Sequence, residues 1–185
     1  MGFGKIVFLL LSFSLFLSSA VSISNLQFLR SRCAATRYPL FCYDSLVSYA
    51  STFGTNDVAL SKTALRVSEN AAEEIAKVIK NLSMEKPSSM QLGNIYDTCS
   101  SLFGDVVYQL KQSMNAIETV NGDEFKLSSI RSWISAALTD ATTCADEIQA
   151  GKQVKMDVKE KIDQIVRKFS MLTSNALALI ITMKP

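Results

Sequence analysis

Four cysteines (Cys33, Cys42, Cys99 and Cys144) and not one histidine among 185 residues bound the chemistry open to this chain. Without histidine there is no Ser-His or Cys-His nucleophile pair, and most zinc sites go with it. The cysteines show no Cys-x-x-Cys spacing, and no Gly-x-Ser-x-Gly, phosphate-cradling glycine loop or calcium loop occurs. Acidic pairs stand at Glu73-Glu74, Asp123-Glu124 and Asp146-Glu147. Two carboxylates can hydrolyse a glycoside only when they flank one substrate, and successive residues of a helix do not face the same way. Solvated surface accounts for these pairs. The chain is therefore not expected to be an enzyme, nor to hold a metal or a cofactor. Cross-linking is the chemistry left to the cysteines, with three connectivities open on paper.

Two helical patterns carry the inner pair of cysteines. Apolar residues recur every three or four positions from Leu92 to Ile117, and again from Leu127 to Ile148. That is the step of a helix that buries one face, and Cys99 and Cys144 fall on the two stripes. Asn121-Gly122-Asp123 separates the runs; Cys99 lies 22 residues before Asn121, and Cys144 lies 22 after Gly122. An antiparallel hairpin bent there sets the two thiols side by side, so the register proposes a Cys99–Cys144 bridge. Pairing Cys99 with Cys33 or Cys42 has no such support. Cys33–Cys42 is what remains, a staple across nine residues that closes a bend between two short helices. Pro39 lacks a backbone donor and disfavours helix at Tyr38, so the turn belongs at Tyr38-Pro39.

Two more amphipathic patterns flank the central pair. One runs from Val58 to Leu82 behind Asn56 or Asp57 as a helix cap, with Trp133 of the later hairpin expected in the core rather than on show. The other repeats from Val154 to Met183. With only three prolines and seven glycines in the chain, long helices and few turns are expected. The fold class is all-α: an antiparallel up-down-up-down four-helix bundle over residues 56–185, preceded by a disulfide-closed helical hairpin over 23–55.

Residues 1–22 read as a secretory signal peptide that is removed. Lys5 supplies the positive start, Ile6 to Leu17 an apolar run, and Ser18-Ser19-Ala20 a small-residue cleavage site, with cleavage after Ser22 the alternative. No later run approaches the length of a membrane span, and the mature protein is expected to be secreted, soluble and monomeric when free. Without Lys5, 18 basic residues face 17 acidic ones, which points to neither nucleic acid nor an anionic membrane. Asn81-Leu82-Ser83 is an N-glycosylation acceptor, a triplet common by chance but given weight by the secretory context.

Polar residues outline a candidate binding face. Ser101, Asp105, Tyr108 and Gln112 share one side of the second bundle helix, and Arg131, Ser135, Thr139, Thr142 and Asp146 share one side of the third. Such a surface suits a wet protein–protein contact. Ordinary solvent exposure is the plainer reading of the pattern alone.

Cys33-x-x-Thr36-x-Tyr38-Pro39-x-x-Cys42, Tyr96-Asp97-Thr98-Cys99, Trp133-Ile134-Ser135-Ala136-Ala137-Leu138-Thr139-Asp140-x-x-Thr143-Cys144-x-Asp146 and Thr173-Ser174-Asn175-Ala176-Leu177-Ala178-Leu179 together resemble the plant pectin methylesterase and invertase inhibitor family. The likeness covers essentially all of residues 23–185, which would then be a single inhibitor domain. It implies bridges from first to second and third to fourth cysteine, and a secreted protein of the plant apoplast or cell wall. One branch of the family caps the cleft of pectin methylesterase in a one-to-one complex through the second and third bundle helices. The other blocks acid invertase, typically with a Pro-Lys-Phe motif before the third helix. Here that loop reads Gly122-Asp123-Glu124-Phe125-Lys126, so the resemblance points to the esterase. It matches Asp105 and Asp146 to acidic positions that such inhibitors present to the esterase, with Asp123 near a third, and places Ser101 and Tyr108 where other members carry acids. Gln112, Thr142 and Thr143 of the polar faces complete the expected contact set. Many members also have a fifth, unpaired cysteine in the last helix, which this chain lacks. Inhibition of cell-wall or vacuolar invertase is the alternative, and a non-inhibitory pectin-binding protein a second one.

Overall fold

The computed structural model describes residues 23–85 and 87–183, so the leader reading of residues 1–22 lies outside it. Among the described residues all regular structure is helical. A helix over residues 23–33 (α1) is followed by α2 (Pro39–Leu46), a 3-10 turn (Val47–Tyr49), α3 (Ala50–Phe53), α4 (Asp57–Met84), α5 (Met90–Ile117), α6 (Glu124–Ala150) and α7 (Met156–Thr182). The last four are 27 or 28 residues long. At 1.5 Å per residue each is a rod of about 40 Å. Each packs on the next in sequence, and α7 closes the ring against α4. The expected up-down-up-down bundle is the one observed, with Phe103 and Phe169 edge-on at 6.3 Å in its centre.

Capping fixes where the rods begin. Asn56, not Asp57, caps α4, its Oδ1 accepting from the Ala59 amide at 2.8 Å. Ser89 caps α5 and Asp123 caps α6. Asn121 and Gly122 turn the central hairpin with φ of 32° and 75°, the left-handed backbone that glycine adopts freely and asparagine tolerates.

The N-terminal hairpin pairs α1 with α2 through Cys33–Cys42, and Pro39 occupies the first helical position of α2. Two polar contacts dock it on the bundle. Buried Asn175 of α7 accepts from the Tyr38 amide at 3.0 Å and donates to the Tyr38 carbonyl at 3.0 Å. The Arg32 guanidinium pairs with Asp57 at the start of α4, its Nη2 donating at 2.6 Å.

Two details differ from the sequence reading. On α4 periodicity picks out the stripe Val58, Ala64/Leu65, Val67, Ala71, Ile75, Val78/Ile79 and Leu82, and the buried face is rotated from it. Ser61, Ser68 and Glu69 lie inside, while Val58, Val67, Ala71 and Val78 sit only half-buried beside it. Serine is small enough to pack inside, and Ser68 satisfies its hydroxyl on the Ala64 carbonyl. Glu69, 5% exposed, keeps its charge matched by Arg66 at 3.1 Å. Val154 is buried as its periodicity suggests, but in the turn ahead of α7. By length and mean hydropathy α7 could cross a membrane, yet Ile162, Val166, Phe169, Leu179 and Ile180 are spent on the core of the bundle.

Candidate functional site

The α5–α6 hairpin is the most closely packed pair of the ring, and its outward side carries the candidate residues. Cys99 and Cys144 are bonded between the two helices, their Cα atoms 4.8 Å apart, as the hairpin register requires. Further along the seam the Gln109 amide donates to Asp140 Oδ2 at 3.0 Å. One turn from that bond, on the disulfide side, stand Asp105 on α5 and Thr143 on α6. Covalent and polar links thus hold the two helices in one register.

Ser101, Asp105 and Tyr108 are exposed along α5, Tyr108 to 61%, and Gln112 continues their line half-buried. Thr142, Thr143 and Asp146 are exposed along α6 beside Ser135 and Thr139. The structure therefore brings seven of the eight proposed contact residues onto one continuous surface. The eighth, Asp123, stands apart at the turn. Its Oδ1 accepts from the Phe125 and Lys126 amides at 3.0 and 3.1 Å, so its first task is to start α6. Trp133 is half-buried and packs on the core, as expected. Asn81 is exposed on α4 and belongs to another side of the molecule.

Hydrogen bonding gives this surface a polarity that the sequence does not spell out. Thr139, Thr142 and Thr143 donate their hydroxyl protons to the carbonyls of Ser135, Leu138 and Thr139, at 3.1, 2.7 and 2.9 Å. Ser129 and Ser132 do the same one helical stretch earlier. A hydroxyl bonded back to its own helix keeps its oxygen lone pairs facing out. Among the described residues no ion pair uses Asp105 or Asp146. Unpaired carboxylates and back-bonded threonines together make a face of acceptors. These oxygens suit donors on a binding partner, while Ser101, Tyr108 and Gln112 keep donors of their own on the same face.

Two features escape a reading by periodicity. Gln109 and Asp140 flank their stripes rather than lie on them, and nothing in either pattern says that they meet. Phe125, 81% exposed at the first turn of α6, leaves a large apolar side chain beside the hairpin bend. Among the described residues no cluster of acidic or cysteine side chains is arranged to hold a metal ion.

Comparison with known proteins agrees with the geometry. The profile of the plant invertase/pectin methylesterase inhibitor family matches residues 27–179. The "21 kDa protein" of Daucus carota is 34% identical over 170 residues, which cover 89% of this chain and 87% of that one. Pectinesterase inhibitor 10 of Arabidopsis thaliana is 34% identical over 85% of this chain, which spans about half (51%) of its length. A crystal structure of a mutant pectin methylesterase inhibitor from Arabidopsis superposes with a TM-score of 0.64 over 82% of this chain and 94% of that one, at 19% identity. That last likeness speaks for the fold alone. With the bundle, the stapled N-terminal hairpin and both bridges in place, this chain belongs to the plant invertase/pectin methylesterase inhibitor family.

Proposed function

We propose that the chain is a secreted inhibitor of pectin methylesterase that acts by covering the enzyme's pectin-binding cleft. The outer face of α5 and α6 docks across the cleft in a one-to-one complex, and the free protein is a monomer of the plant apoplast. The observation that carries this reading is the acceptor face itself, with Asp105 and Asp146 free of internal partners and the threonines turned to offer oxygen. Such groups suit the lysine, arginine, tyrosine and backbone donors that line the rim of a protein cleft. A two-helix surface held by a disulfide loses little conformational freedom on docking, which favours affinity. The loop Gly122-Asp123-Glu124-Phe125-Lys126 lacks the Pro-Lys-Phe order of the invertase branch, which supports the esterase as target.

Titration of the purified protein against plant pectin methylesterase and against acid invertase tests the reading. Stoichiometric loss of esterase activity is expected, with invertase unaffected. Inhibition of invertase alone would overturn the assignment, and retention on pectin with no enzyme present would favour a polysaccharide-binding role. Because exposed carboxylates act through long-range attraction, the apparent affinity should fall as salt is raised.

A further inference from the structure

The seam between α4 and α7 is a second surface that the docking face leaves unused. Ala71, Glu74 and Val78 on α4, with Ile165 and Lys168 on α7, line an apolar groove of about 260 Å³. The three α4 residues step by three and four, and the next position on that line is Asn81. The neighbouring flank of α4 belongs to α5, as the 3.0 Å pair of Glu73 with Lys111 shows. Asn81, seven residues after Glu74, follows Glu74 and not Glu73. It is exposed, and among the described residues nothing bonds its side chain. Asn81-Leu82-Ser83 is the only Asn-x-Ser/Thr triplet in the chain.

We propose that Asn81 carries an N-linked glycan whose first sugars lie along the α4–α7 groove, on the side of the bundle turned away from the α5–α6 face. In the transfer, Asn81 Nδ2 gives up a proton and bonds to C1 of an N-acetylglucosamine, while a lipid pyrophosphate leaves as the donor oligosaccharide is released to the protein. The acceptor occupies the last turn of α4, whose C-cap is Glu85, so the segment can present itself extended before the helix is packed. In the folded protein Ser83 bonds back to the Lys80 carbonyl at 3.0 Å, leaving the Asn81 amide facing solvent. The fit is chemical. The sugar's C–H face and acetamide methyl meet Val78 and Ile165, and its hydroxyls meet Glu74 and Lys168 at the groove's rim.

The test uses the full chain expressed in a eukaryotic secretory host. Intact mass of the secreted wild type should show hexose-spaced glycoforms that peptide N-glycosidase collapses, with Asn81 converted to Asp. Asn81→Gln and Ser83→Ala should both run at the bare polypeptide mass; Ser83→Ala guards against any folding defect of the first. Hydrogen exchange compared between wild type and Ser83→Ala should be several-fold slower in the wild type along residues 71–82 and 158–169, and unchanged on α5 and α6. A wild type of bare polypeptide mass overturns the site. Protection that is absent, or that appears on α5 and α6, overturns the placement. Mass and exchange read this site whether or not the chain inhibits an esterase.

Discussion

Asp105 and Asp146 are exposed and, among the described residues, enter no ion pair, so their substitution should separate binding from stability. Asp105→Lys combined with Asp146→Lys should weaken esterase inhibition by tenfold or more, about 1.4 kcal/mol, with the thermal midpoint unchanged. An inhibition titration beside a melting curve checks this, and a lowered midpoint would mark the pair as structural. Asn175 sits at the other extreme. Both of its amide atoms are taken up by the Tyr38 backbone, and it is buried. Asn175→Leu should cost about 1–3 kcal/mol by stranding that amide and carbonyl, read by denaturant unfolding. Faster exchange should be confined to residues 33–46. The two cases also show what a sequence discloses at this scale. Asp105 and Asp146 were legible because helical spacing alone sets them on the outer side. Asn175 and Glu69 were not, because each is polar at a buried position and is made tolerable by a partner: distant Tyr38 for one, Arg66 one turn away for the other. Periodicity weighs polarity and cannot see partners.

Among the elements, the α5–α6 hairpin was readable because two independent signals coincide in it. The Asn121-Gly122 bend and the equal offsets of Cys99 and Cys144 describe one antiparallel register. The bridge closes a loop of 45 residues and the N-terminal one a loop of nine. In the chain-entropy model those are worth about 4 and roughly 2.5 kcal/mol. Replacing Cys99 and Cys144 by alanine should therefore lower stability more than replacing Cys33 and Cys42, in paired denaturant titrations. Glycines give a further contrast. A Cβ on Gly104 would meet nothing within 4 Å, so Gly104→Ala should stabilise α5 by about 0.5–1 kcal/mol through helix propensity. A Cβ on Gly151 would come within 2.7 Å of Val154 and 2.9 Å of Ile95, so Gly151→Ala should cost about 1–3 kcal/mol. Thermal melts of the two variants should move in opposite directions. The rotation of the α4 stripe was not legible, since half-buried valines at a groove and fully buried serines in a core leave the same faint trace on a helical wheel.

For the whole molecule, pH dependence falls to carboxylates and phenols, because no histidine is present to titrate near neutrality. A hydrogen bond from Lys62, then the lysine's charge, holds the Glu118 carboxyl below its ordinary value, and this pair ties α4 to the end of α5. A depressed folded-state value means stabilisation that is present above the unfolded-state value of about 4.3 and lost as pH falls through the folded one. Melting temperatures of wild type and Glu118→Gln should differ at pH 6 and converge as pH falls through the folded-state value. On the alkaline side, burial and then the charges of Glu85 and Asp157 push the Tyr96 phenol up, so the neutral ring is favoured and that contribution fades as pH rises above about 10.

The ring order of the four rods has an evolutionary corollary. In the proposed complex the partner meets one unbroken stretch of chain, residues 90–150, which carries its own covalent clamp and rests on α4 and α7 through its inner side and flanks. Paralogues can therefore rewrite the outer lettering of that stretch without renegotiating the interior. Exchanging it between relatives should transplant target choice as a single cassette.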